Sequence, residues 1–344
     1  MSPCDSKGHF GQSVRKVMHT VEETSLRIRN GERLMLAADS RVLASLPRGH
    51  WIAGTIPYFM TEDGGRFSRD LILVNELPSG SVGCEIKIYD STDIGRIYAD
   101  APENGITVVV LPASSPTHFE FALNVTKCEA FATRPLIGWV SGTEIGPDPH
   151  EKPLIYCGEN RKAIEDGAVV MHISLAADKR ADINIVNIFR QDQGDTLMFL
   201  EDGFSASSVI VNGKIRDLAD YIAQRGVDTR FPLVADYFGS MINISFKSID
   251  TMTGDVSFYA PVFRGVEYKL AEPIEDYASL FAENTPEEPA ENIFFSCNCI
   301  LNYLYSKLEG RRAGAITGPV TFGEIAYQLL NQTLVYAVIR DEKS

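Results

Sequence analysis

The sequence has no apolar run near the roughly 20 residues that a membrane-crossing helix needs, and its densest stretch is the short Ile106 to Leu111. The opening MSPCDSKGHFGQS has no apolar core of the kind a secretory signal carries. Cysteine is sparse: Cys4, Cys84, Cys128, Cys157, Cys297 and Cys299, with four of them far apart. That is not the regular spacing of a disulfide-stapled secreted domain. Basic charge is in deficit as well, with 32 Lys and Arg against 46 Asp and Glu, a net charge of −14 and a pI of about 4.9. Such a field repels phosphate backbones and anionic headgroups, which excludes nucleic acid and membrane insertion or docking as expected roles. There is no dinucleotide fingerprint, no P-loop and no G-x-S-x-G elbow. No second Cys or His pair stands at zinc-ligand spacing. A reduced, soluble, cytoplasmic protein is the expectation.

What is present is ordinary globular composition, 44% hydrophobic and 23% charged, at a length of 344 residues that suggests about two domains. Residues 1–19 mix Gly, Ser, Lys and His without a period and read as a loose tail. The rest divides into an N-terminal half, 20–205, and a C-terminal half, 206–344. From Ser25 to Leu46 the apolar positions suggest two helices joined at Asn30-Gly31. Strand patterns dominate after that, at Trp51 to Met60, Asp70 to Leu77, Cys84 to Tyr89, Ile106 to Leu111, Ala168 to Leu175 and Asp182 to Phe189. More follow between Thr196 and Leu270 and again near the end. Helices are expected at Ser115 to Ala130, Ile215 to Arg225, Ile274 to Glu283 and Cys299 to Leu308. Strands outnumber helices and do not alternate with them one for one, so the fold class is α+β, with mostly antiparallel mixed sheets flanked by helices. Leu136 to Ile145 (LIGWVSGTEI) echoes Ile316 to Ile325 (ITGPVTFGEI), with a looser echo at Trp51 to Tyr58. The echo raises the possibility of two related halves.

Chemistry-bearing residues are few. His172 sits inside an apolar strand and is a candidate haem-iron ligand, or else a satisfied core histidine. His50, His118 and His150 have no local partner that forms a visible dyad. Cys297 and Cys299 stand between a strand and a helix, where a thiol is either reactive or simply packed. The run Gly318 to Thr333 places Gly323, Glu324 and the cluster Asn331-Gln332-Thr333 close together. A backbone turn, one carboxylate and neutral donors suit a small polar ligand. Alternatively, Glu324 pairs with Arg311 or Arg312 and Asn331 closes a turn.

Ser296-Cys297 before a helix, then Gly323-Glu324-Ile325 and Asn331-Gln332-Thr333 before a final strand, resemble the C-terminal half of the FIST sensory domain. The similarity covers Phe294 to Ile339, and Gly54-Thr55 looks like the small-residue turn of that family's N-terminal half. The resemblance implies a bacterial ligand-sensing module without catalysis of its own, whose output passes through a separate signalling protein. Some members of that family bind haem, although no histidine here matches a haem ligand and Asn331 stands where many members carry His. The ligand would lie against Gly54, Thr55, Gly323, Glu324, Asn331 and Thr333. On this reading Glu324→Ala abolishes ligand binding and leaves the melting temperature nearly unchanged. Two other readings stand beside it: an enzyme with Cys297 or Cys299 as nucleophile, and a scaffold that docks a partner through the acidic loop Thr285 to Glu291.

Overall fold

A computed structural model describes residues 17–146, 151–237, 240–284, 288, 292–312 and 316–342. The expected tail lies outside these residues up to position 16. Its last residues do not behave as a tail: Val17 and Met18 are buried, and Met18–His19 pairs with Ile72–Glu76. The loop carrying His150, and all of Thr285 to Glu291 except Glu288, also lie outside the described residues.

The chain is α+β, with short helices beside mostly antiparallel, mixed sheets. The continuous β-branched strand Gly105–Pro112 is buried along its whole length, between Leu136–Ser141 on one side and Ala168–Leu175 on the other. A second six-stranded sheet lays Trp51–Thr55 against all three of these strands. A third brings Gly318–Thr321 and Leu334–Asp341 onto Leu136–Ser141. Burial on both faces explains why the central strand reads as an unbroken apolar run rather than an alternation.

One device recurs three times. Leu34–Ala38 leads through the helix Ser40–Ser45 to the parallel strand Trp51–Thr55. Gly105–Pro112 leads through Pro116–Asn124 to Leu136–Ser141, and Ile293–Cys299 through Ile300–Tyr305 to Gly318–Thr321. Parallel neighbours need a crossover, and a helix supplies it. The first two helices begin where the sequence marks them: Asp39 accepts from the Arg41 amide and Ser115 from the His118 amide, with Pro116 in the first turn. Each returning strand ends on a buried hydroxyl, Thr55, Ser141 or Thr321. The sequence echo falls on these three strand ends.

Three local expectations are corrected. Leu34 to Ala38 is a strand and not the start of a second helix, because a five-residue run buried on every side carries no 3.6-residue period. Ile215 belongs to a hairpin, Ser208–Val211 with Lys214–Asp217, which turns on Asn212 and Gly213 at positive φ; the helix begins only at Leu218, capped by Asp217. Cys297 lies inside a strand that continues through Cys299.

Strands on either side of residue 205 share sheets. Lys179–Val186 pairs with Leu334–Asp341, Tyr58–Thr61 with Gly318–Thr321, and Leu136–Ser141 with Glu324–Ala326. Residues between Leu197 and Leu270 form two sheets of their own. Among the described residues no helix is long and apolar enough to cross a membrane.

Candidate functional site

The run Gly318 to Thr333 steps from one sheet to the next. After Thr321, the Phe322 amide donates to the Val140 carbonyl and the Val140 amide donates to the Gly323 carbonyl. A Cβ at Gly323 would lie 2.9 Å from Leu329 Cδ1 and 3.1 Å from Val140 Cγ2, so close approach is what requires glycine here. Glu324 then pairs opposite Trp139 and is 0% exposed.

Among the described residues the Glu324 carboxyl forms no ion pair. Its Oε2 accepts from the Thr333 amide at 3.2 Å and the Thr333 hydroxyl at 2.9 Å, and Thr321 Oγ1 lies 3.4 Å from Oε1. The Cys299 thiol also bonds to it. Burial pushes this carboxyl up to about 8, against which the bonds from Thr333, Cys299 and Thr321 pull only partly. At neutral pH it is therefore mostly protonated and able to donate. The pairing with Arg311 or Arg312 considered from sequence is not formed.

The network continues inward through neutral groups. The Thr333 carbonyl accepts from the Asn302 side chain at 3.1 Å and the Cys299 amide at 3.2 Å. Asn302 also donates to Asn298 Oδ1, and its own Oδ1 accepts from the Tyr277 hydroxyl. Gln332 bonds Ser245 and Tyr277, while Asn243 donates to the Asn331 carbonyl and exchanges bonds with Asn187. Among the described residues four buried side-chain atoms around this layer have no hydrogen-bond partner: Asn298 Nδ2, Asn331 Oδ1, Trp139 Nε1 and Ser141 Oγ.

Of the six ligand residues expected from sequence, Glu324 and Thr333 touch and Asn331 shares their network, while Gly323 makes the turn. Gly54 lies one side chain away: a Cβ there would meet Trp139 Nε1 at 2.8 Å and Val110 Cγ1 at 2.6 Å. Thr55 faces elsewhere, its hydroxyl accepting from the Leu154 amide and its carbonyl from the Gly142 amide. Sequence reading missed Thr321, Asn302, Tyr277, Asn243 and Ser245. Two signals were available: Asn298 and Asn302 stand four residues apart across a strand-to-helix junction, and Asn243 and Ser245 alternate with Ile242 and Ile244 at the end of the strand Ser240–Ile244.

Cys297, Cys299 and His172 are each enclosed by packing and hydrogen bonds. Cys297 is buried and donates to the Gly138 carbonyl at 3.3 Å; burial, reinforced by Glu324, pushes both Cys297 and Cys299 well above the usual thiol range. A thiolate is disfavoured at both, and alkylation of the native protein is expected to label the half-buried Cys84 and Cys128 before either of them. Faster labelling of Cys297 or Cys299, read by peptide mass mapping, would restore the nucleophile.

His172 has both ring nitrogens engaged. Thr107 Oγ1 lies 2.8 Å from Nδ1, and the Tyr89 hydroxyl lies 3.1 Å from Nε2 while donating to Asp100. Burial lowers this ring to about 4. Neither nitrogen is offered to a haem iron, and the group does not fit here. Among the described residues no cluster of three or more His, Cys, Asp or Glu is arranged for a metal.

Two open clefts, of about 470 and 300 Å³, lie away from Glu324. The larger has Asn187 in its wall, and so touches the outer end of the buried network. No curated protein matches the chain. A family of unknown function, DUF6976, matches residues 19–340, and the chain belongs to that family.

Proposed function

We propose that the protein binds a small polar molecule and passes the signal to a separate protein, without catalysis of its own, as the likeness to bacterial cytoplasmic FIST sensory domains implies. The observation that carries this reading is the carboxyl of Glu324, set in the core among hydroxyl, thiol and amide groups with no cation among the described residues to balance it. Stability alone favours an apolar replacement for such a group, since burying polar atoms without full pairing costs about 1 to 3 kcal/mol each. Unpaired Asn298 Nδ2 and Asn331 Oδ1 offer one donor and one acceptor in the same layer. With Glu324 protonated, the chemistry favours an uncharged or dipolar ligand over a simple cation. Entry requires movement of the helix Tyr277–Glu283, whose Tyr277 closes over Asn302 and Gln332.

Native mass spectrometry of protein purified gently from its host tests this. The expected result is a small noncovalent added mass that is lost in Thr333→Val, a variant that keeps the side-chain shape and removes the hydroxyl. A clean apo mass for the unaltered chain, or an added mass indifferent to Thr333→Val, counts against the reading.

A further inference from the structure

The larger cleft carries charges that the rest of the molecule does not use. In the smaller cleft Arg225 lies 3.6 Å from Asp195, and Asp228 is tied to Arg230. In the larger one, Arg190, Glu272 and Glu275 make no side-chain hydrogen bond or ion pair among the described residues. Arg190 and Glu272 are even backbone neighbours, the Glu272 amide donating to the Arg190 carbonyl at 2.9 Å, yet their side chains do not pair. Asp276 is already committed to the Ser279 amide and hydroxyl. Charges of both signs lining one hollow, none of them paired with another, suit a ligand that itself carries both signs.

The walls between those charges are apolar, from Ile188, Ile274 and Leu280. Asn284 uses its amide nitrogen on the Leu280 carbonyl, which leaves Oδ1 as an acceptor. A volume of about 470 Å³ is within the usual range for small-molecule sites and exceeds what one amino acid fills. We propose that this cleft binds a short peptide with free termini, its carboxylate at Arg190, its ammonium at Glu272 and Glu275, and its body on the apolar wall. Asn187 links the cleft to Asn243 and thence to the Asn331 and Gln332 carbonyls, a direct path to the Glu324 layer. Transmission along that path rests on the sensory reading; binding at the cleft does not.

Isothermal titration of the full chain with trialanine tests the binding. Saturable binding is expected, weakened at least tenfold by Arg190→Gln, by Glu272→Gln with Glu275→Gln, and by use of N-acetyl-trialanine amide. These side chains are exposed, so the variants remain folded. Arg225→Gln, in the smaller cleft, is expected to leave the affinity unchanged, which separates the two clefts. No saturable binding at millimolar trialanine, equal binding of the capped peptide, or an equal loss in Arg225→Gln overturns the proposal.

Discussion

Glu324→Gln is expected to stabilise the protein at pH 8 by an amount on the order of 4 kcal/mol and to leave it nearly unchanged at pH 4.5 or below. The reason lies in the raised carboxyl, at about 8 in the fold against an ordinary value near 4.5. Below both values the proton is bound whether the chain is folded or not, and the group contributes no pH dependence. Between them the unfolded chain releases its proton while the folded chain keeps it, so stability falls as pH rises. Above about 8 both states are ionised and the loss levels off. Glutamine has the shape of the protonated acid, can accept from Thr333 as Glu324 does, and has no proton to release. Urea denaturation from pH 4.5 to 8.5 reads the difference directly; parallel curves for the two proteins would show that Glu324 titrates as an ordinary surface acid. Glu324→Ala is a different case. With the carboxyl fully buried, truncation strands the Thr333 amide and hydroxyl and opens a cavity, so at pH 4.5, where ionisation costs nothing, a lower melting temperature replaces the unchanged one expected from sequence.

Gly138→Ala is expected to destabilise by about 3 kcal/mol or more, or to prevent soluble folding. Gly138 faces Val109 in the parallel pair at the heart of the central sheet, and a methyl there would overlap the Val109 carbonyl oxygen. That oxygen belongs to backbone held by strands on both sides, so it has no low-cost way to move. The Gly138 carbonyl also receives the Cys297 thiol, so a shift propagates into the next sheet. Gly95→Ala is the control, because nothing lies within 4 Å of the added methyl and the φ there is not positive. Equal denaturation midpoints for the two variants would mean that the central strands part more easily than their burial implies.

The α+β class and most strand positions were legible because β-branched runs bounded by Gly, Pro and Asn dictate them locally. Gly105–Pro112 shows this at its clearest. Leu34–Ala38 was not legible: LMLAA has neither a two-residue nor a 3.6-residue period, and only its neighbours decide it. The site was legible in part. Gly323-Glu324 and Asn331 to Thr333 stand close in sequence, and the fold brings them together. The partners from Tyr277, Asn243 and Ser245 arrive from distant strands and helices, and nothing in local spacing announces a meeting across 50 to 90 residues. The burial of Cys297 and Cys299 was not legible, because their two-residue spacing says nothing about what covers them.

The late arrival of Gly318 to Asp341 has a consequence for synthesis. Leu136–Ser141 takes Glu324–Ala326 as its outer neighbour, and Lys179–Val186 waits for Leu334–Asp341. At translation speeds of roughly 5 to 20 residues per second, these edges emerge about 7 to 40 seconds before the strands that cover them. Through that interval the nascent chain displays unsatisfied ladders flanked by Val and Ile, the material of edge-to-edge aggregation. Its yield in a cell is therefore governed by whatever shields those edges until residues 318–341 have left the ribosome.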